Sequence, residues 1–431
     1  MQRRTLTTSA IPEVLSRLAR DPGVEARTRD TVASILAEVR AGGPEGGLER
    51  ALAIGARLDG VTLDAASARV PPSAMRAAAD TLARTSGELV AALGHMIEHV
   101  RTFAKAQRAA LADVRVPLPG GGEVGERWLP LRRVGVYVPG GRAFYPSTLV
   151  MTVVPAMCAG VRRIVAVTPP RAPGLDPVLL ATAHLVGLDE LYMVGGAQGI
   201  AFLAHGEPEV DLVAGPGNRF VAEAKRQLVG TAGIDSLAGP TEILVLADGS
   251  ADPARVAEDL LAQAEHDPDA AAVLASTSDT LLDAVAAELT ARVATSPRKE
   301  IVEASLSSYG FLLHGDKEAL VAFAQAFAPE HLELVVHDPD DWRDALTTAS
   351  ALFVGSASAE AFGDYGAGPN HVLPTNRTAR YSSPLGVATY MKRQSVLALS
   401  SADARAMGPW VGALADAENL VHHARSARLR G

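Results

Sequence analysis

The chain sets a glutamate and a histidine side by side, Glu330 and His331, in the stretch "APEHLELVV". These are the side-chain types best suited to moving protons near neutral pH. Imidazole titrates close to neutrality, and burial can raise a carboxylate toward it. Neighbouring residues do not share a helix face and point to opposite sides of a strand. Both are therefore expected on the loop just before "LELVV", approaching one reacting carbon from different sides. Residues of metal-ligating type gather elsewhere. Gln263 and His266 in "AQAEHD" are spaced i, i+3 and share a helix face. Asp364 and His371 lie in "GDYGAGPNHVLPT", a Gly/Pro/Asn loop of the kind that carries function. His422 and His423 lie near the C-terminus. Imidazole and carboxylate suit Zn²⁺; on ligand chemistry alone Glu265 is a better companion for His266 than Gln263. The plain alternative for each is a solvated polar loop residue.

The remaining histidines, His95, His99, His184, His205, His314 and His337, read as structural or surface residues. Cys158 sits in the apolar "VVPAMCAGV", with no neighbouring cation or base to form a thiolate, and reads as a buried small hydrophobe. A single cysteine also excludes an internal disulfide and a thiolate-rich zinc site.

These groups need elements to hold them. Residues 1 to about 115 read as Ala-rich amphipathic helices, followed by a Gly/Pro break at "LPGGGEVGERWLP". Short β-branched runs then alternate with helical patterns, the signature of parallel α/β structure. One series runs through "RIVAVTPP", "ELYMVGG" and "VDLVAGPGN". A second runs through "TEILVLAD", "AAVLAST", "YGFLLHG", "LELVV" and "ALFVGS". Two series predict two doubly wound domains, with ligands beyond the carboxyl ends of the strands. G-x-G-x-x-G is absent, but "VGGAQG", "AGPGN" and "VGVYVPGGRAFYPST" are glycine-rich corners able to cradle a phosphate or simply to turn. From "RYSSPLG" onward the alternation stops, which suggests an extended arm and terminal helix reaching a partner.

Composition bounds the class. At 431 residues, 48% hydrophobic and 21% charged, the chain is globular and long enough for more than one core. A net charge of −9 with no long basic run argues against nucleic acid. Leu149 to Val161, the most apolar stretch, is too short for a membrane span, and "MQRRTLTTSA" lacks the apolar core of a signal peptide. A cytoplasmic location without membrane contact is expected.

The blocks "RRVGVYVPGGRAFYPSTLVM", "VGGAQGIAFLAHG", "VDLVAGPGNRFVAEAKRQLVGTAGIDSLAGPTEILVLAD", "DLLAQAEHDPDA", "APEHLELV" and "GDYGAGPNHVLPT" resemble the histidinol dehydrogenase family, in order, over roughly residues 125 to 400. The resemblance implies oxidation of L-histidinol to L-histidine through the aldehyde with two NAD⁺, the last step of histidine biosynthesis. It implies one Zn²⁺ per subunit on Gln263, His266, Asp364 and a partner's His423, in a homodimer with shared sites. His331 would be the general base and Glu330 the activator of water. Thr241, His371 and Glu418 would contact substrate, together with His331 and the four ligands. Tyr137, Gln198 and Asn218 would contact NAD. The implied fold is two doubly wound, incompletely Rossmann-like α/β domains, an N-terminal helical segment and an extended C-terminal arm. The corresponding division is an N-terminal segment 1–25, a discontinuous catalytic domain 26–135 and 240–380, an inserted NAD domain 136–239, and a dimer-completing arm 381–431.

The chain departs from the family at Thr241, where Ser is usual, at Ala104, where many relatives have His, and at Arg377, where a small residue is usual. A paralogue oxidising another polar alcohol is the competing enzymatic reading. A non-catalytic nucleotide- or metal-binding module is a third, which the retained Glu330, His331 and ligand residues disfavour.

Overall fold

The apolar runs of the C-terminal half pair into one fully parallel sheet because they are covered on both faces, so they read as continuous rather than alternating. In the computed structural model, which describes residues 1–20, 26–140, 145–171 and 174–430, this sheet I has six strands. Their order is Gln2–Thr5, Gly310–His314, Ala271–Ser276, Glu242–Ala247, His331–Val335, Ala351–Val354. Every residue of Glu242–Ala247 is buried, and each such Leu or Val contributes about 1.5–3 kcal/mol. The chain winds outward from Glu242–Ala247 in one direction, then returns to begin again at His331–Val335 on its other side. The switch point of sheet I lies between those two strands.

Sheet II repeats the plan with the order Arg69–Val70, Glu190–Met193, Arg163–Thr168, Arg133–Tyr137, Leu212–Ala214, Gly233–Ile234. Only the short edge strand Arg69–Val70 is antiparallel. Its switch point lies between Arg133–Tyr137 and Leu212–Ala214. A three-stranded antiparallel sheet III joins Met391–Ala398, Glu123–Pro130 and Val114–Pro117. The expected Gly/Pro break is thus a hairpin. Beyond it, helices Ser401–Ala417 and Val421–Arg428 pack chiefly on each other. They leave Trp410, Leu414, Leu420, Val421 and Leu429 exposed.

The sheets divide the chain differently from the expected boundaries. Strand Gln2–Thr5 is an edge of sheet I, and Ile11, Val14 and Leu18 share a core with Phe323 and Phe327. The first 20 residues are therefore part of that unit. Helices Ala26–Ala41 and Gly43–Asp59 pack on Gly196–His205, and Gly87–Ala110 packs on Pro146–Ala159. Residues 26–135 thereby join 136–239 rather than 240–380. The cause is physical: an amphipathic stripe announces that it will be covered, not by which sheet. Leu385, Val387, Tyr390 and Met391 are buried in the sheet II core, so the arm leaves the body after Met391 rather than at residue 381. Among the described residues no helix is long and apolar enough to cross a membrane.

Candidate active site

Helix Lys317–Phe327 ends at Ala328, whose left-handed backbone (φ 46°) lets its N–H reach the Ala324 carbonyl at 2.8 Å. Pro329 prevents continuation. Glu330 follows, and His331 is already the first residue of its strand, paired with Ile243 and Ala351. Only Glu330 is therefore on the loop; His331 is held by sheet register. The Glu330 carboxylate accepts from the Thr241 hydroxyl (2.5 Å) and the Glu242 N–H (3.0 Å). His331 Nδ1 lies 3.1 Å from the Glu242 carbonyl. A carbonyl only accepts, so Nδ1 carries the proton and Nε2 is left as a free base. Burial lowers the His331 pKa, keeping the imidazole neutral, and pushes Glu330 up to about 8. The two side chains approach to 3.7 Å.

A donor cluster adjoins this pair. His266 lies just past the C-terminus of helix Pro253–Ala264, which Asp252 caps by accepting from Ala254 N–H at 2.9 Å. One nitrogen of His266 and one oxygen each of Glu360 and Asp364 lie within 4.8 Å of one another. Gln263 is fully buried, its side-chain amide 2.9 Å from the Glu360 carboxylate and 2.7 Å from the Thr241 hydroxyl. Glu265 is exposed and outside the cluster. His371 Nδ1 donates to the Asp364 carbonyl at 3.1 Å, which turns Nε2 away from that bond. His99, read as structural, braces the same loop by donating to the Gly366 carbonyl at 2.5 Å.

Glu360 had no part in the sequence expectation. It stands four residues before Asp364 on helix Glu360–Tyr365, a spacing that puts both on one face. Its oxygen is 3.5 Å from His331 Nδ1, and burial, with Asp364 and Glu330 nearby, drives its pKa well above the usual range. Carboxyls this close ionise together only beside a strong positive charge. The donor set and this crowding both fit a divalent cation.

The second set gathers at the carboxyl edge of sheet II. Tyr137 ends the strand Arg133–Tyr137, its oxygen accepting from Gly196 N–H at 3.1 Å, and burial pushes its pKa to about 12. Gln198, on the helix that starts at Gly196, donates to Asp59 at 3.1 Å. Asn218 caps helix Arg219–Leu228 by accepting from Phe220 N–H (3.0 Å) and Val221 N–H (3.2 Å). Gly215 (φ 112°) could not carry a side chain: a Cβ there would lie 2.2 Å from the Tyr137 carbonyl. Buried Lys225 pairs with Asp235 and donates to the Gly215 carbonyl at 3.0 Å, fixing the turn. Two helix N-termini beside a switch point fit the pyrophosphate of a dinucleotide.

A cleft of about 920 Å³ lined by His331, Asp364, His371, Phe353 and Phe362 opens onto the first set. His422, His423 and Glu418 are not there. All three are exposed on or beside the terminal helix.

The sequence profile described as histidinol dehydrogenase matches residues 18–431. A histidinol dehydrogenase of Aromatoleum aromaticum is 43% identical over 428 residues, 97% of this chain and 96% of that one. One of Thermosynechococcus vestitus is 42% identical over 95% of this chain and 94% of its own. The crystal structure of histidinol dehydrogenase from Elizabethkingia anophelis superposes with a TM-score of 0.91 at 29% identity, covering 100% and 98% of the two chains. The chain belongs to the histidinol dehydrogenase family. It is an oxidoreductase of the doubly wound α/β type, as the sequence blocks implied. The histidinol dehydrogenase fold thus brings Glu330, His331, Thr241, Gln263, His266, Asp364 and His371 together, and Tyr137, Gln198 and Asn218 separately. Beside Glu360, sequence reasoning missed Arg20 and Glu242, which lie behind the acid–base pair. Of the departures, Thr241 donates to Glu330 and adjoins Gln263, Ala104 is buried in the sheet II core, and Arg377 has a left-handed backbone (φ 63°).

Proposed function

We propose that this chain oxidises L-histidinol to L-histidine with two NAD⁺, the last step of histidine biosynthesis, as a homodimer. The observation that carries the reading is the fixed Glu330–His331 pair beside the His266–Glu360–Asp364 cluster. Zn²⁺ held by Gln263, His266, Asp364 and the partner subunit's His423 would orient the substrate's amine and imidazole nitrogens. NAD⁺ bound by Tyr137, Gln198 and Asn218 takes the hydride in each oxidation.

The side chains divide the proton work. His331 Nε2 removes the alcohol proton as hydride leaves the carbon, giving the aldehyde. Glu330 takes a proton from water as the water oxygen bonds to the aldehyde carbon, while the His331 imidazolium returns its proton to the carbonyl oxygen, giving the hydrate. His331, again neutral, then removes a hydrate proton as the second hydride leaves, giving the carboxylic acid, which ionises to the carboxylate. One site for both oxidations retains the reactive aldehyde. Thr241, His371 and the partner subunit's Glu418 hold the substrate. The exposed His423 and the apolar face of the terminal helices support completion of each site by a second copy.

The test is stoichiometry. Two NADH per L-histidinol, lost on chelation and restored by zinc, is expected. Brisk turnover of another polar alcohol with none of L-histidinol would overturn the substrate.

A further inference from the structure

Behind the acid–base pair lies a buried ion pair between Arg20 and Glu242. Such a pair is weak evidence for stability, because desolvation offsets its attraction. What distinguishes this one is where its hydrogen bonds end. The Arg20 guanidinium donates to the carbonyls of Thr241 and Asp269, each at 3.2 Å, as well as to the Glu242 carboxylate. That carboxylate also accepts from the Glu330 N–H (3.3 Å) and the Asn376 N–H (3.2 Å). The Glu242 backbone faces the other way. Its N–H holds the Glu330 carboxylate and its carbonyl holds His331 Nδ1. One residue thus fixes Glu330 at both ends and selects the tautomer of His331, and Arg20 fixes that residue.

We infer that Arg20 and Glu242 are positioning residues for the reaction, so that the N-terminal segment sets the reach of Glu330 and His331 without touching substrate. The inference rests on the proposed acid–base roles. The Arg20–Glu242 pair cannot shift without moving the Thr241–Glu242 turn, and both of Glu330's contacts with Glu242 shift with it. Glu330 is therefore displaced more than His331, which sheet pairing also holds.

The experiment uses the full-length, zinc-loaded enzyme with Arg20→Met, Arg20→Lys and Glu242→Gln. Arg20→Met is expected to bind zinc and melt cooperatively, with kcat for NADH formation down about 10²-fold, the cost of roughly 1 Å of misplacement, and KM for L-histidinol little changed. The aldehyde step should suffer more than the alcohol step, and Arg20→Lys should recover part of the loss. If Arg20→Met does not fold, the same split is read from the other two. Unchanged kcat per zinc-loaded subunit, or a loss spread evenly over both steps and KM, would overturn the inference. If the parent chain fails to oxidise L-histidinol, the functional reading falls instead. The positioning claim is then judged by crystal structures of the parent and Arg20→Met. A Glu330 carboxylate displaced from the Thr241 hydroxyl and the Glu242 N–H supports it, and an unmoved carboxylate refutes it.

Discussion

The two doubly wound sheets share a plan and carry their candidate residues at opposite edges of it. In sheet II the candidate nucleotide residues stand at the carboxyl ends of strands, Tyr137 and Asn218 at the two switch-point strands and Gln198 beyond Glu190–Met193, with the N-termini of helices Gly196–His205 and Arg219–Leu228 beside them. In sheet I the switch-point residues Thr241, Glu242, Glu330 and His331 stand at the amino ends, where helices Pro253–Ala264 and Lys317–Phe327 finish. On the proposed sites, the rule that ligands lie beyond the carboxyl ends would hold for sheet II and not for sheet I. Helix dipoles supply a reason for the difference. A helix N-terminus carries positive partial charge and suits a pyrophosphate, whereas a helix C-terminus suits a cation. Each turn is also tied by one buried ion pair, Lys225–Asp235 in sheet II and Arg20–Glu242 in sheet I.

Perturbing one edge at a time tests that contrast. The largest effect is expected at the sheet I edge. His331→Asn should slow both oxidations by about 10²–10⁴-fold, the usual contribution of a general base, measured as single-turnover NADH formation from alcohol and from aldehyde. His266→Ala and Gln263→Ala should next reduce zinc content, by elemental analysis, and turnover with it, while NAD⁺ binding measured by fluorescence is unchanged. At the sheet II edge the pattern should invert. Asn218→Ala should raise KM for NAD⁺ without raising KM for L-histidinol, and lower stability by about 0.5–2 kcal/mol through the lost helix cap. The smallest change lies away from both edges. Arg377→Gly should stabilise by about 1 kcal/mol by relieving a left-handed backbone, seen as a raised melting temperature with unchanged kcat.

Much of this was legible in the chain. The apolar runs announced both sheets because burial on both faces leaves an unbroken hydrophobic signature. Asp252 before Pro253 announced a helix start, and the structure caps it that way. The helix face shared by Gln263 and His266 was legible from their spacing, but Gln263 was preferred as a ligand only through family resemblance, since residue chemistry favours Glu265. Glu360 was legible in principle from its four-residue spacing to Asp364. Arg20 and Glu242 were not, because a residue acting across 222 positions leaves no local pattern. The owner of the N-terminal helices was hidden for the same reason.

The division of labour between Glu330 and His331 is tested most directly by Glu330→Gln, with alcohol and aldehyde supplied separately. The alcohol step should survive, with one NADH formed and the aldehyde captured by a carbonyl trap, while the aldehyde step collapses. In the parent that second step should accelerate as pH rises through about 8, because burial raises Glu330 to that value and only its ionised form accepts a proton. In Glu330→Gln that rise should vanish. Equal loss of both steps, with the pH profile retained, would contradict the account.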